Sequence, residues 1–391
     1  MHPELITLPG GFSIKTYGFF LMIGFLTAVW LGMRRAAKVK ADPDVVLDLS
    51  FLALLFGVAG ARLFYVVHYW PTQFAGRGFL AIVNITQGGL EFLGGFLGGV
   101  SAVIVYCWWK QVSLRLYLDI MAPSTMWGLA FGRIGCFFNG CCFGGICLTA
   151  GHTVAHPWAV RFPYASPPQW RQWENREVSV PAELVIARKG ETGIQPSLIP
   201  DSQLAMSVER RQAPLIKVRD LQDAYDRAKK DDPESDTTKR LAEELKGARR
   251  KMEEHRAELY ALMWGQGFPS RENPERSTSV SELQQLASSA RSLPVHPTQL
   301  YASVHALLLS FVLAAMFYLR KRHGVVAGAL LVMYPIPRAL LEIIRADNPS
   351  DVAGLTASQF VSLCILLTGV AYLIVLYKKL PERSPLLEAA N

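Results

Sequence analysis

Gly128-Leu-Ala-Phe-Gly132-Arg133-Ile-Gly135-Cys136-Phe-Phe-Asn139-Gly140-Cys141-Cys142-Phe143-Gly144 places an arginine inside an apolar run that begins near residue 116. In hydrocarbon a guanidinium costs about 3 kcal/mol or more unless it is paired, reaches the interface or lines a wet cavity. Glycines on either side let other groups approach its backbone closely. Two readings follow. Arg133 binds an anion, and a phospholipid phosphate is the anion normally at hand and matches the bidentate fork; or Arg133 is structural and pairs with a carboxylate such as Glu342.

Outward from that stretch the chain reads as membrane. Of 391 residues, 51% are hydrophobic and 18% charged, greasier than a typical soluble domain. Seven apolar blocks can be drawn, at 17–33, 45–67, 89–109, 116–138, 298–319, 325–344 and 356–377. Their length suits a hydrocarbon core about 30 Å thick. The formal charge of +8 does not point to nucleic acid, because the cations cluster beside apolar blocks, as topology and anionic headgroups favour.

Orientation follows from those clusters. Arg34, Arg35, Lys38 and Lys40 follow block one; Lys110 and Arg115 block three; Arg320, Lys321 and Arg322 block five; Lys378, Lys379 and Arg383 block seven. The loop after block two has only Arg77, and that after block six sets Arg345 against Asp347 and Asp351. This alternation predicts an N-terminus outside and a C-terminus in the cytoplasm. Met1 to Thr16 carries Lys15 as its one fixed cation, so the first block is expected to stay as a helix rather than be cleaved. The expected fold is an all-α integral membrane protein of seven transmembrane helices with an extracytoplasmic head insertion. Residues 1–144 hold helices one to four, 145–294 the head, and 295–391 helices five to seven with a cytoplasmic tail. Within the head, 215–264 carries spaced apolar residues among dense charge, interrupted at Asp231-Asp232-Pro233-Glu234-Ser235, which predicts a helical hairpin. The head reads as a solvated insertion without catalytic residues or as a docking surface for a protein.

Further constellations carry polar chemistry. In Tyr334-Pro-Ile-Pro-Arg338-Ala-Leu-Leu-Glu342-Ile-Ile-Arg345 the polar residues recur at spacings of four, four and three, one stripe on an apolar helix. Such a stripe faces the bundle interior, as a site or as a buried ion-pair network. Pro335 and Pro337 are expected to kink or unwind the start of that helix. His296-Pro-Thr-Gln-Leu-Tyr301 opens block five; Tyr301 and Tyr17 read as functional or as interface anchors. Gln87-Gly-Gly-Leu-Glu91-Phe-Leu93-Gly94-Gly95-Phe-Leu-Gly98-Gly99 spaces small residues for close helix packing. Cys136, Cys141, Cys142 and Cys147 contain no C-x-x-C, and packing is favoured over a disulfide or a metal.

Together these motifs resemble the prolipoprotein diacylglyceryl transferase family. The resemblance rests on Tyr17-Gly18, Gly60-Ala-Arg62, Gly88-Gly89 with Gly94-Gly95, Gly132-Arg133-Ile-Gly135 to Asn139-Gly140, His296-Pro-Thr-Gln-Leu-Tyr301, and Tyr334 with Arg338 and Glu342, over 12–145 and 294–378. It implies a bacterial inner-membrane enzyme that moves the diacylglyceryl group of phosphatidylglycerol to the lipobox cysteine of prolipoproteins, without metal or organic cofactor. It implies Arg338, Tyr334 and Glu342 as catalytic positions. Arg133, Tyr17, Asn139, Gly140, Gly144, Arg62, His296 and Tyr301 are implied as phosphatidylglycerol-binding. Two departures stand out: many members carry a histidine, proposed as the base, where this chain has Leu93, and an asparagine where it has Cys136. Either the histidine is not the general base, or another group such as Glu91, His68 or Tyr334 substitutes, or the chain is a catalytically degenerate lipid-binding protein on the same scaffold.

Overall fold

The computed structural model describes residues 4–7, 13–75, 78–85, 88–148, 155–190, 193–199, 204, 208–232, 235–264, 280–345, 350–352 and 354–382. Arg77, Gln87, Asp347, Arg383 and the Pro233-Glu234 break lie outside them. The chain divides into two compact units, Ile146–His296 and the remainder, each taken by itself.

The larger unit is built from α1 (Thr16–Lys38), α2 (Pro43–His68), α3 (Phe79–Val83), α4 (Phe92–Trp109) and α5 (Leu114–Asn139). Its second half runs through four helices between Thr298 and Lys379 among the described residues. The outward faces are apolar: Phe51, Leu63, Val67, Leu308, Phe311 and Leu367 are all exposed, where a water-facing helix would carry charge. Five stretches are long and apolar enough to cross a membrane: Thr16–Lys38, Pro43–His68, Thr298–Leu319, Val325–Ile344 and Ala357–Lys379. The other two of the seven blocks differ from expectation. α4 starts at Phe92 rather than 89 and is short, because Gly88 and Gly89 sit at φ 86° and 78°, outside helical space. α5 carries Arg115, Asp119 and Arg133, so it is not simply apolar.

Glycines set the helix pairs. A Cβ on Gly60 of α2 would lie 2.5 Å from the Gly94 carbonyl, and one on Gly95 of α4 would lie 3.3 Å from the Gly57 carbonyl. Only hydrogen at these positions allows the two backbones this approach. Between α1 and α5, Gly24 abuts Phe131 and Gly135 abuts Tyr17 in the same way.

The opposite ends of these helices hold the charge. Asp119 is fully buried and pairs with Arg320 at 2.8 Å. Its carboxylate also accepts from the amides of Gly324 at 2.7 Å and Ala327 at 2.9 Å, capping a helix at Val325–Met333 from outside it. Lys38 lies over the Tyr318 ring, Arg115 donates to the Pro381 carbonyl at 3.1 Å, and Arg322 to that of Leu380 at 3.2 Å. All four basic loops are thus drawn to one end of the unit. Above them Leu49, Ile120, Leu313 and Val326 form a fully buried core.

The smaller unit departs and returns at one place: the Cys147 amide donates to the Pro294 carbonyl at 2.8 Å, and Val160 pairs with Val295. It contains α6 (Pro167–Glu174), a strand pair at Val185–Gly190 and Gly193–Leu198, α7 (Val208–Asp231), α8 (Asp236–Trp264) and α9 (Val280–Ser289). Leu184, Leu198, Ile199 and Leu283 make its core. On α7 and α8, Arg249 donates to Gln222 at 2.6 Å. The protein is therefore mostly helical but not all-α: three two-stranded antiparallel pairs are present, the others at Glu4–Thr7 with Ser13–Lys15 and at Ser350–Val352 with Leu355–Thr356. Strands this short leave almost no alternation to read.

Removing one partner of a buried ion pair strands the other. Asp119→Asn is expected to lower stability by about 3–5 kcal/mol, seen as a drop in the thermal transition in detergent, whereas Asp119→Leu combined with Arg320→Met recovers most of the loss.

Candidate functional site

The helices of the second half are now named α10 (Thr298–Leu319), α11 (Val325–Met333), α12 (Pro335–Ile344) and α13 (Ala357–Lys379). The backbone stays helical through Tyr334, at φ −70° and ψ −44°, so the prolines do not unwind it. They remove two donors and begin a new helix at Pro335, a position proline favours. Arg345 has left the helix, at φ −77° and ψ 140°.

Glu342 is the centre of this end. Its side chain is fully buried and binds Arg338 one turn back, Arg345 at 3.6 Å and the Thr356 hydroxyl at 3.3 Å. Thr356 also accepts the Gln359 amide at 3.2 Å, capping α13 while it donates to Glu342. The chain after α12 meets the chain after α5: Gly144 pairs with Arg345 as an antiparallel bridge, and the Gly145 amide donates to Ile344 at 2.7 Å. Gly140 ends α5 in the left-handed region at φ 76°, the usual role of glycine there. From α10, the Thr298 hydroxyl donates to the Cys142 carbonyl at 2.6 Å and the Gln299 amide to that of Cys141 at 2.7 Å. The Thr-Gln of the His296 motif therefore holds the loop that follows Arg133.

Arg133 stands differently. It is half-buried in α5, within electrostatic reach of Cys142, Tyr334, Cys136 and Arg345. Among the described residues it has no carboxylate within 4.0 Å and no hydrogen-bond partner. Glu342, its suggested mate, is already held by two other arginines. Tyr17, at the first turn of α1, lies against Gly135 and within reach of Arg133, Cys136, Cys141 and Cys142. One end of the unit thus gathers Arg133, Tyr17, Tyr334, Arg338, Glu342 and Arg345. Among the described residues this end carries three arginines and the carboxylate of Glu342.

The other expected residues are placed as follows. Asn139 is exposed at the last position of α5, and Tyr301 is half-buried in the first turns of α10. Gly140 and Gly144 shape the loop between α5 and its bridge to Arg345. The Arg62 guanidinium donates to the carbonyls of Ile82, Gly88, Gly89 and Ala81 at 2.7–3.1 Å. It clamps the connection before α4. A Cβ on Gly89 would lie 2.5 Å from its Nη1, which accounts for the glycine pair. His296 belongs to the smaller unit, where burial first and His156 second hold its imidazole below the usual histidine range. Arg345, Thr356, Thr298 and Gln299 were not anticipated as parts of this end. Arg345 was visible as the last member of the polar stripe; nothing in the sequence marked Thr356.

Fold and site together define a polytopic membrane protein with arginines gathered at one end. The model of the family described as prolipoprotein diacylglyceryl transferase matches residues 3–205 and 242–375, and the chain belongs to that family. Residues 206–241, which include all of α7 and the start of α8, fall between the matched segments. Curated relatives bear the name phosphatidylglycerol–prolipoprotein diacylglyceryl transferase. The protein of Rhodopirellula baltica is 37% identical over 163 residues, 40% of this chain and 32% of its own length. That of Pseudoalteromonas translucida is 36% identical over 160 residues, 40% of this chain and 57% of its own. That of Synechocystis sp. is 33% identical over 163 residues, covering 41% and 53%. The chain thus spans about a third to just over half the length of these relatives.

Replacing Glu342 by glutamine removes the carboxylate that Arg338 and Arg345 share. A loss of about 3–5 kcal/mol is expected, read by thermal unfolding in detergent. Thr356→Val, which deletes the bond to Glu342 and the cap on the Gln359 amide, should cost about 1–2 kcal/mol.

Proposed function

We propose that this chain is a seven-span enzyme of the bacterial inner membrane, N-terminus outside and C-terminus cytoplasmic. It transfers the diacylglyceryl group of phosphatidylglycerol to the lipobox cysteine of a prolipoprotein. The observation that carries the reading is the partnerless guanidinium of Arg133 beside Arg345, Tyr334 and Tyr17 in an apolar setting. Arg133 and Arg338 take the phosphate. The peptide sulfur attacks the glycerol carbon next to it, the carbon–oxygen bond breaks, a thioether forms and glycerol-1-phosphate leaves. Fixed cations stabilise charge on that departing group in a site with little water, an effect worth about 3–4 kcal/mol for a single donor elsewhere. The basic loops at the opposite end of the unit support the orientation.

The thiol must lose its proton, and Leu93, exposed at the first turn of α4, takes none. His68 Nδ1 stands 2.7 Å from Glu91 Oε1, two residues before Leu93. A carboxylate on Nδ1 leaves Nε2 of a largely exposed ring to accept the proton, and we assign the base to this pair. A non-catalytic lipid binder is the second reading, favoured by Leu93 alone.

Arg133→Ala should abolish transfer to a lipobox peptide from phosphatidylglycerol vesicles while the protein stays folded in membranes; Arg133→Lys should restore only part, lacking the planar fork. Full activity of the alanine variant would remove the phosphate assignment. Leu93→His should gain less than about tenfold, whereas His68→Gln should lose roughly 10²–10⁴-fold in rate. Both are read from pH–rate profiles with one peptide and lipid. An inactive parent rescued by Leu93→His would favour the lipid binder.

A further inference from the structure

Sequence spacing argued against a metal among the cysteines, since no C-x-x-C is present. The fold changes the geometry. α5 ends at Asn139, Gly140 turns the chain at φ 76°, and Cys142 lies at φ 59°, a left-handed conformation that side chains other than glycine seldom adopt. These two turns fold the loop back onto the helix end. The Sγ atoms of Cys136, Cys141 and Cys142 then all lie within 4.8 Å of one another. Zinc–thiolate bonds of about 2.3 Å in tetrahedral geometry place sulfurs about 3.8 Å apart, so small side-chain rotations close the set on an ion.

The surroundings fix this triangle. Thr298 and Gln299 hold the carbonyls of Cys142 and Cys141, and Gly144, two residues on, is bridged to Arg345. All three cysteines are half-buried and unoxidised. Gln299 is 1% exposed, and its Oε1 finds no partner among the described residues. An orphaned buried acceptor beside Cys141 is where a water completing an ion's coordination would donate. Arg133 lies within electrostatic reach of Cys136 and Cys142. A disulfide would use two sulfurs and strand the third, whereas the three converge mutually.

We propose that Cys136, Cys141 and Cys142 bind one soft d10 cation, zinc(II) or copper(I), as three thiolates. Each thiol releases its proton to solvent as its sulfur–metal bond forms. The ion would lock the loop between Asn139 and Gly144 onto the start of α10. This proposal stands apart from the transfer reaction.

Cadmium(II) serves as the probe, added to the reduced full-length protein in detergent and followed by thiolate-to-cadmium charge-transfer absorption in the ultraviolet. Saturation at one ion per chain is expected. Cys136→Ser, Cys141→Ser and Cys142→Ser should each weaken binding roughly tenfold or more, and Cys107→Ser, Cys147→Ser and Cys364→Ser should not. On the unaltered protein, cadmium should shield three thiols from a small maleimide, mapped by peptide mass spectrometry to Cys136, Cys141 and Cys142. Absence of the band with all six thiols reactive would overturn the proposal. So would its persistence in all three serine variants, or two of the three sulfurs isolated as a disulfide that cadmium does not protect. Because no outcome uses the transferase assay, failure here leaves the catalytic reading untouched, and the reverse holds too.

Discussion

An ionisable group held in apolar surroundings must be answered by another group, or water must reach it, and this rule organises the larger unit. Asp119 is answered by Arg320 and two amides, Asp48 by the Tyr106 hydroxyl, Arg35 by the Ser124 hydroxyl at 2.7 Å, and Glu342 by two arginines and a threonine. These answers tie α1, α2, α4, α5, α10 and α11 together at one end and α12 to α13 at the other. Among the described residues Arg133 is the exception, and it is the residue proposed to take the phosphate. The unanswered charge is thus set apart from the answered ones by structure as well as by motif.

Glycine prepares that end in a different way. Gly135 brings the first turn of α1 against α5, so Tyr17 reaches the loop that follows Arg133. Gly57, Gly60 and Gly95 do the same for α2 and α4, and Arg62 fixes the connection between them through four carbonyls. That clamp sets Glu91 at the start of α4, where it meets His68. The His68–Glu91 pair and the proposed anion site therefore depend on close helix contacts made by residues with no chemistry of their own.

Much of this was legible in the sequence. Apolar length disclosed the long helices, and the four-four-three spacing disclosed that Tyr334, Arg338 and Glu342 share a face, because both depend on local periodicity. What was not legible depends on contact between distant segments. Whether Glu342 serves Arg133 or Arg338 and Arg345 is decided by how α12 meets α5. The motif of Arg62 names the residue but not the four carbonyls around it. The three thiols converge through left-handed turns at Gly140 and Cys142; the glycine could be guessed, the cysteine could not. The strand at Val185–Gly190 was missed although Gly190 and Gly193 flank two residues in the manner of a hairpin.

The Asp119–Arg320 pair joins residues about 200 positions apart, with the smaller unit between them. During synthesis α5 reaches the membrane long before its partner exists. At about 5–20 residues per second the delay is roughly 10–40 s, during which a carboxylate destined for complete burial has no cation. The nascent helix must meanwhile keep that end near the headgroups, where Asp119 lies only a turn or so from the basic loop at Lys110 and Arg115. Settling of α5 to its final depth then waits for α10 to arrive, which makes the second half of the larger unit a trigger for locking the first.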